Sequence, residues 1–149
     1  MKNSLSDSRK VLNLYISREG DRYRSQQEEV VVDENGVIGD KFYAKDPQRS
    51  VLLTAIDSYL MAEKENITIE HGALGENILI DYNPYLLPAG TTLSIGAVIL
   101  EISQGCSLCK SLTKIDAKLP KLLKNDRGVF VKVIKGGTIH TGDVVHIDL

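Results

Sequence analysis

Apolar positions recur along this chain with two different periods, and the switch between them outlines its elements. From Val11 to Ser17 apolar and polar residues alternate through Val11, Leu12, Leu14 and Ile16, and Glu29 to Val32 is β-branched, so both segments read as strands. The charged stretch Arg18 to Gln27 between them reads as a loop. Asp33-Glu34-Asn35-Gly36 carries an Asn-Gly pair, which readily supplies positive φ, and Gly39-Asp40 follows closely, so this region reads as a turn-rich loop. From Leu52 to Glu65 the period lengthens. Leu53, Ile56, Leu60 and Met61 fall on one helical face, Thr54 stands near the start as a cap, and the segment is expected to be the longest helix.

Beyond Asn66 the short period returns. Asn77 to Ile80, Thr91 to Ile95 and Ala97 to Ser103 are expected strands, punctuated by glycines and prolines. Ser111 to Leu123 reads as a short helix broken by Pro120, and Gly128 to Lys135 and Asp143 to Ile147 read as closing strands. Short, evenly spaced strands between turn residues favour a barrel or sandwich. No linker, repeat or low-complexity segment interrupts the pattern, so residues 1–149 are expected to form one domain.

Composition narrows the function classes. Lys+Arg number 18 against 20 Asp+Glu, a net charge of −2, and the eight aromatic residues (6 Tyr, 2 Phe) are not interleaved with basic clusters. A nucleic-acid surface is therefore not expected. Glu101 interrupts the apolar stretch Ile95 to Ile102, which is far shorter than a bilayer span, and the polar start Met1 to Arg9 lacks the apolar core of a secretion signal. A cytoplasmic protein without a membrane helix is the expectation. Two cysteines cannot build a disulfide framework, so reduced thiols are expected.

Those cysteines, Cys106 and Cys109, have CxxC spacing. A structural zinc site would need two more ligands, and His71, His140 and His146 show no paired ligand spacing. A thioredoxin-like site would need a helix N-terminus inside a βαβ unit, where the surroundings here are β-rich. Burial as small hydrophobes remains open. A loop position after a strand, near Lys110 and Lys114, also allows a nucleophilic or metal-ligating thiolate.

Several separated motifs, in order, resemble the MOSC domain, named for the C-terminal domain of molybdenum cofactor sulfurases. They are Gly36-Val37-Ile38-Gly39-Asp40-Lys41; Arg49-Ser50-Val51-Leu52-Leu53; Gly72-Ala73-Leu74-Gly75-Glu76-Asn77-Ile78; and Gly90-x-x-Leu93-x-Ile95-Gly96 followed by Leu100-Glu101-Ile102. Cys109 with Leu112 then takes the place of the signature Cys-x-x-Leu, and Arg127-Gly128-Val129 through Gly136-Gly137, Ile139 and Gly142-Asp143-Val144-Val145 resembles the closing motif. The resemblance runs from about Gly36 to Val145. The sequence departs from the family at Phe42, where many members have His, at Leu108, which replaces a proline, and at Cys106, an additional cysteine.

The resemblance implies a mainly β, closed, twisted barrel with a few short helices. It implies that Cys109 is the catalytic centre, carrying a persulfide sulfur or ligating molybdenum of the pterin cofactor, chemistry that needs a soft thiolate. Molybdopterin carries phosphate, and Lys41, Arg49, Lys110 and Arg127 stand in matching motifs as its candidate ligands. Glu76 and Asn77 are candidates to orient the ligand, or else to satisfy backbone groups of their turn; Asp40 either caps its loop or helps place the thiolate; His71 is a weaker acid–base candidate. The implied partners are a sulfur donor, such as a cysteine desulfurase-like, pyridoxal phosphate-associated protein, or a molybdoenzyme or electron donor. Alternatives are a delivery module for molybdopterin or a protein partner, the molybdenum component of a reductase of N-hydroxylated compounds, and a pair in which one of Cys106 and Cys109 holds a persulfide that the other resolves.

Overall fold

The computed structural model describes residues 9–21, 24–106 and 110–148. Eight strands build one sheet, in the order β11 (Val145–Asp148), β7 (Thr92–Ile95), β8 (Val98–Gly105), β9 (Val129–Lys135), β5 (Val51–Ala55), β6 (Ile78–Ile80), β1 (Val11–Ile16) and β2 (Ser25–Gln27). Three more, β10 (Gly137–His140), β3 (Glu29–Asp33) and β4 (Gly36–Val37), form a separate small sheet. All pairings are antiparallel except β5 with β6. Parallel neighbours need a crossover, and helix α1 (Ile56–Lys64) supplies it.

Alternation along the strands divides the interior in two. On one side Leu14 and Ile16 of β1, Val51 and Leu53 of β5, Ile78 and Ile80 of β6, and Val129, Val131 and Val133 of β9 pack with Val30, Val32, Val37 and Ile139 of the small sheet. On the other side Tyr15 and Leu79 meet Tyr59 and Ala62 of α1, and Leu112, Leu119 and Leu123. The central strands β5 and β6 are thus buried on both faces. Gly136, between β9 and β10, lets the chain leave one sheet for the other, because a Cβ there would collide with the carbonyl oxygen of Val32.

The expected closed barrel is not formed. β1 is already occupied by β6 on one side and β2 on the other, which leaves β2 and β11 as the two ends of an open sheet. A single bridge, Lys10 to Val144, with Val11 N–H donating to Asp143 O at 2.8 Å, links the start of β1 to the approach to β11. Among the described residues it does not extend into a ladder.

The expected helix from Leu52 also changes. Val51 to Ala55 is a strand, and α1 starts only at Ile56 without a side-chain cap; Thr54 Oγ1 instead donates to Arg127 O at 2.9 Å. A short apolar run reads the same as a buried strand or as helix, and pairing to β6 and β9 settles it. The helix buries Ser58, Tyr59 and Ala62, whereas Leu60 is 49% exposed. Pro120 does not break its helix: it lies in the first turn of α2 (Leu119–Leu122), where a missing N–H costs nothing. A 3₁₀-helix, Lys110–Lys114, precedes it. Strand β2 falls within the expected loop Arg18 to Gln27, and β4 within the turn-rich segment. Among the described residues no helix is long and apolar enough to cross a membrane.

Candidate functional site

The outward faces of β5 and β9 create a floor. Leu52 and Phe130 are cross-strand partners, and because their strand neighbours Leu53 and Val131 point into the main core, these two point out of it. Over them lies a cavity of about 390 Å³, within the span of small-molecule sites, ~300–1,000 Å³. Its walls bring together Arg24, Lys45, Arg49 and Arg127 against the single acidic residue Asp46. In a chain with a net charge of −2, this concentration of cations makes the cavity suited to an anion.

Each arginine is held differently. Arg24 Nη1 lies 3.2 Å from Asp40 Oδ1. Asp40, whose side chain is fully buried, also accepts from Ser17 N–H at 2.8 Å and from Phe42 N–H at 3.2 Å. Asp40 therefore anchors its loop and fixes Arg24 and Phe42 at the wall. Arg127 is only 9% exposed and donates from Nε to Leu74 O at 2.9 Å. Gly75, at φ +94°, makes room for it, since a Cβ there would stand 3.3 Å from Arg127 Nη2. Arg49 lies over the Phe130 ring, with its guanidinium carbon 5.1 Å from the centroid, and its Nε is buried without a hydrogen-bond partner. A buried donor left unmatched is costly, so the wall would gain from any acceptor that reached the Arg49 guanidinium.

Cys106 sits at the end of β8 and is 6% exposed, yet it borders the cavity. Its N–H donates to Gly128 O at 2.9 Å, which places it one residue from Arg127 across the ladder. Gly128 is required there: a Cβ would stand 2.8 Å from Thr54 Oγ1 and 3.0 Å from Leu53 O.

The 72–77 segment packs behind this wall. Asn77 lines the cavity, but both ends of its side chain bond backbone: Leu52 N–H donates to Oδ1 at 3.1 Å, and Nδ2 donates to Tyr15 O at 3.2 Å. Glu76 is fully buried and does not line the cavity; Oε2 accepts from Tyr59 OH at 2.6 Å and Gly72 N–H at 3.1 Å, and Oε1 has no partner. Burial pushes the Glu76 carboxyl above its usual range, against the opposing pull of Tyr59 and the backbone donors. The Tyr59 hydroxyl is pushed up as well, first by burial and then by the Glu76 charge. It accepts from Gly72 N–H at 2.9 Å, so hydroxyl and carboxyl together fix the turn that presents Leu74 O to Arg127.

Of the residues expected at the site, Arg49, Asn77 and Arg127 meet at the cavity, and Glu76 supports it from behind. Lys41 does not line it; its Nζ lies 5.3 Å from the centroid of Phe42, which does. His71 is exposed, away from the wall, with its ring 4.7 Å from that of Tyr59. Cys109 and the side chain of Lys110 lie outside the described residues. Arg24, Phe42, Lys45 and Phe130 were not among the expected residues. For Phe130 a signal existed, its outward place in an alternating strand; Arg24 and Lys45 stand in loops with no pattern to mark them. Among the described residues no three His, Cys, Asp or Glu side chains cluster as a metal site.

A family model, the MOSC domain, matches residues 40–146. Among solved structures, the chain is similar to the YUAD protein from Bacillus subtilis, with a TM-score of 0.81 at 18% identity over 92% of this chain and 93% of that one. It is also similar to YiiM from Escherichia coli (TM-score 0.74, 20% identity, 95% and 70% covered) and YiiM from Geobacillus stearothermophilus (TM-score 0.70, 15% identity, 97% and 75% covered). At these identities the likeness is one of fold. No curated protein matches the chain.

Proposed function

The chain belongs to the MOSC domain family, which is associated with molybdenum cofactor-related functions, and from that premise we propose that it handles the molybdenum cofactor at its basic cavity, with Cys109 as the working thiolate. In this reading Cys109 carries persulfide sulfur for the cofactor or ligates its molybdenum. The observation that carries the reading is the unpartnered Arg49 Nε in a wall shared with Arg127, above the Leu52–Phe130 floor.

The residues present fit such a group. Arg49 and Arg127 are guanidinium groups of the kind that suits its phosphate, and Phe42 and Phe130 add aromatic surface to the lining for its ring system. Bound molybdenum would supply two-electron redox chemistry, for which an electron-donor partner is needed, since no dinucleotide motif stands in this sequence. In the sulfur-carrying form the partner is a cysteine desulfurase-like donor, and soft thiolate chemistry at Cys109 accepts the sulfur.

Native mass spectrometry on protein purified without oxygen tests this, comparing wild type with Cys109→Ser after exposure to molybdopterin and to a cysteine desulfurase with cysteine. The expected result is added cofactor or sulfur mass that disappears in Cys109→Ser. Unmodified wild-type protein under every condition would replace this reading with that of a module binding a protein partner.

A further inference from the structure

We infer that the cavity is also where sulfur enters the domain: a small sulfane-sulfur oxyanion of the thiosulfate class binds across Arg49 and Arg127 and passes its outer sulfur to Cys106. This deepens the sulfur-carrying form of the proposed function and rests on it, differing in the donor and in the cysteine loaded.

Three observations meet here. Cys106 borders the same cavity as the guanidinium groups and stands across the ladder from Gly128, next to Arg127. Arg49 lines the cavity with its guanidinium over Phe130, and its Nε is buried without a partner, so a charged donor group stands at this wall with hydrogen-bonding capacity unused. The carboxylates nearby are engaged elsewhere: Asp40 holds Arg24 and two backbone N–H groups, and Asp46 accepts from Gln48 N–H at 3.0 Å in its own turn. The field at the wall is therefore positive, which favours a dianion.

Access selects the size of the donor. At 6% exposure Cys106 offers little surface, and it borders the cavity. A persulfide carried on another protein would have to thread a loop into that space, whereas a small ion enters it freely.

The step balances without an outside oxidant. After the Cys106 thiol loses its proton to water, the thiolate attacks the outer sulfur of thiosulfate. A sulfur–sulfur bond forms at Cys106, the bond between the two thiosulfate sulfurs breaks, and its electron pair leaves on sulfite. The product is the Cys106 persulfide anion.

The test uses the full chain, reduced and free of oxygen, incubated with sodium thiosulfate and weighed intact. Wild type and Cys109→Ser are expected to gain the mass of one sulfur, which cyanide removes as thiocyanate, while Cys106→Ser gains none. Arg49→Gln is expected to raise the thiosulfate concentration needed for half-loading about tenfold or more, and to raise that for inorganic polysulfide, which has no oxyanion head, by clearly less. Loading of Cys106→Ser as in wild type, or equal loss of both donors in Arg49→Gln, overturns the inference. Wild type that takes sulfur from a cysteine desulfurase but not from thiosulfate also overturns it, while leaving the sulfur-carrier reading in place; refusal of every donor removes both.

Discussion

Asn77→Ala separates a residue that binds ligand from one that builds the wall. The Asn77 side chain joins β5 to β1 at the point where β6 has not yet begun, and it is 2% exposed. Its main chain makes the same connection, with N–H donating to Leu52 O at 2.9 Å and Tyr15 N–H donating to its carbonyl at 2.8 Å. Truncation keeps those two bonds and strands the Leu52 N–H and the Tyr15 carbonyl. A buried polar group left without a partner costs about 1–3 kcal/mol. Because one side of Asn77 faces the cavity, water reaches part of the gap, which favours the lower half of the summed range, about 2–4 kcal/mol. Urea denaturation reads this directly: with a slope of about 2 kcal/mol per M, the midpoint falls by about 1–2 M while the slope stays constant. In parallel, titration of the folded variant with pyrophosphate, used as a probe of the basic cavity, is expected to give the wild-type affinity, because both ends of the Asn77 side chain are held by backbone groups of the wall. A stability loss below about 0.5 kcal/mol, or a large loss of anion affinity in a variant that keeps its stability, would refute the reasoning.

Glu76→Gln is expected to flatten part of the pH dependence of stability. Burial raises the folded-state pKa of Glu76 above its ordinary value of 4.5, so the folded chain holds this proton more tightly than the unfolded one. The stability it contributes is full below about that value and is lost as pH rises through the folded-state pKa. Denaturation of wild type and variant from pH 4 upward should therefore show the wild type losing ground relative to Glu76→Gln with rising pH; a constant difference would count against a buried, raised carboxyl. Tyr59→Phe removes a hydroxyl that accepts from Gly72 N–H and donates to Glu76, and a loss of about 1–3 kcal/mol is expected by denaturation. Gly75→Ala imposes positive φ on an L-residue and sets a Cβ 3.3 Å from Arg127 Nη2. It should cost about 1–2 kcal/mol and weaken pyrophosphate binding, measured by calorimetry, since the guanidinium must shift.

Alternation and β-branching in the sequence were enough to locate β1, β3, β7, β8 and β9, because each turns alternate residues into the main core and period-two patterning marks that face. Local glycine-rich motifs likewise marked the turn around Gly72 and Gly75, whose positive φ values are a backbone requirement carried by the residues themselves. The motifs also pointed to Arg49 and Arg127. Three things were decided by tertiary structure alone. Val51 to Ala55 became a strand because β6 and β9 flank it and both its faces are buried, a setting in which local period carries no information. The sheet stayed open because closure depends on whether β2 and β11 find each other, which is a matter of how the strands are arranged and not of any residue in them. The cavity drew Arg24, Lys45, Phe42 and Cys106 from separate segments to one wall. Residues on irregular connections have no period to declare which way they face, so their meeting is written only in the packing of the elements that carry them.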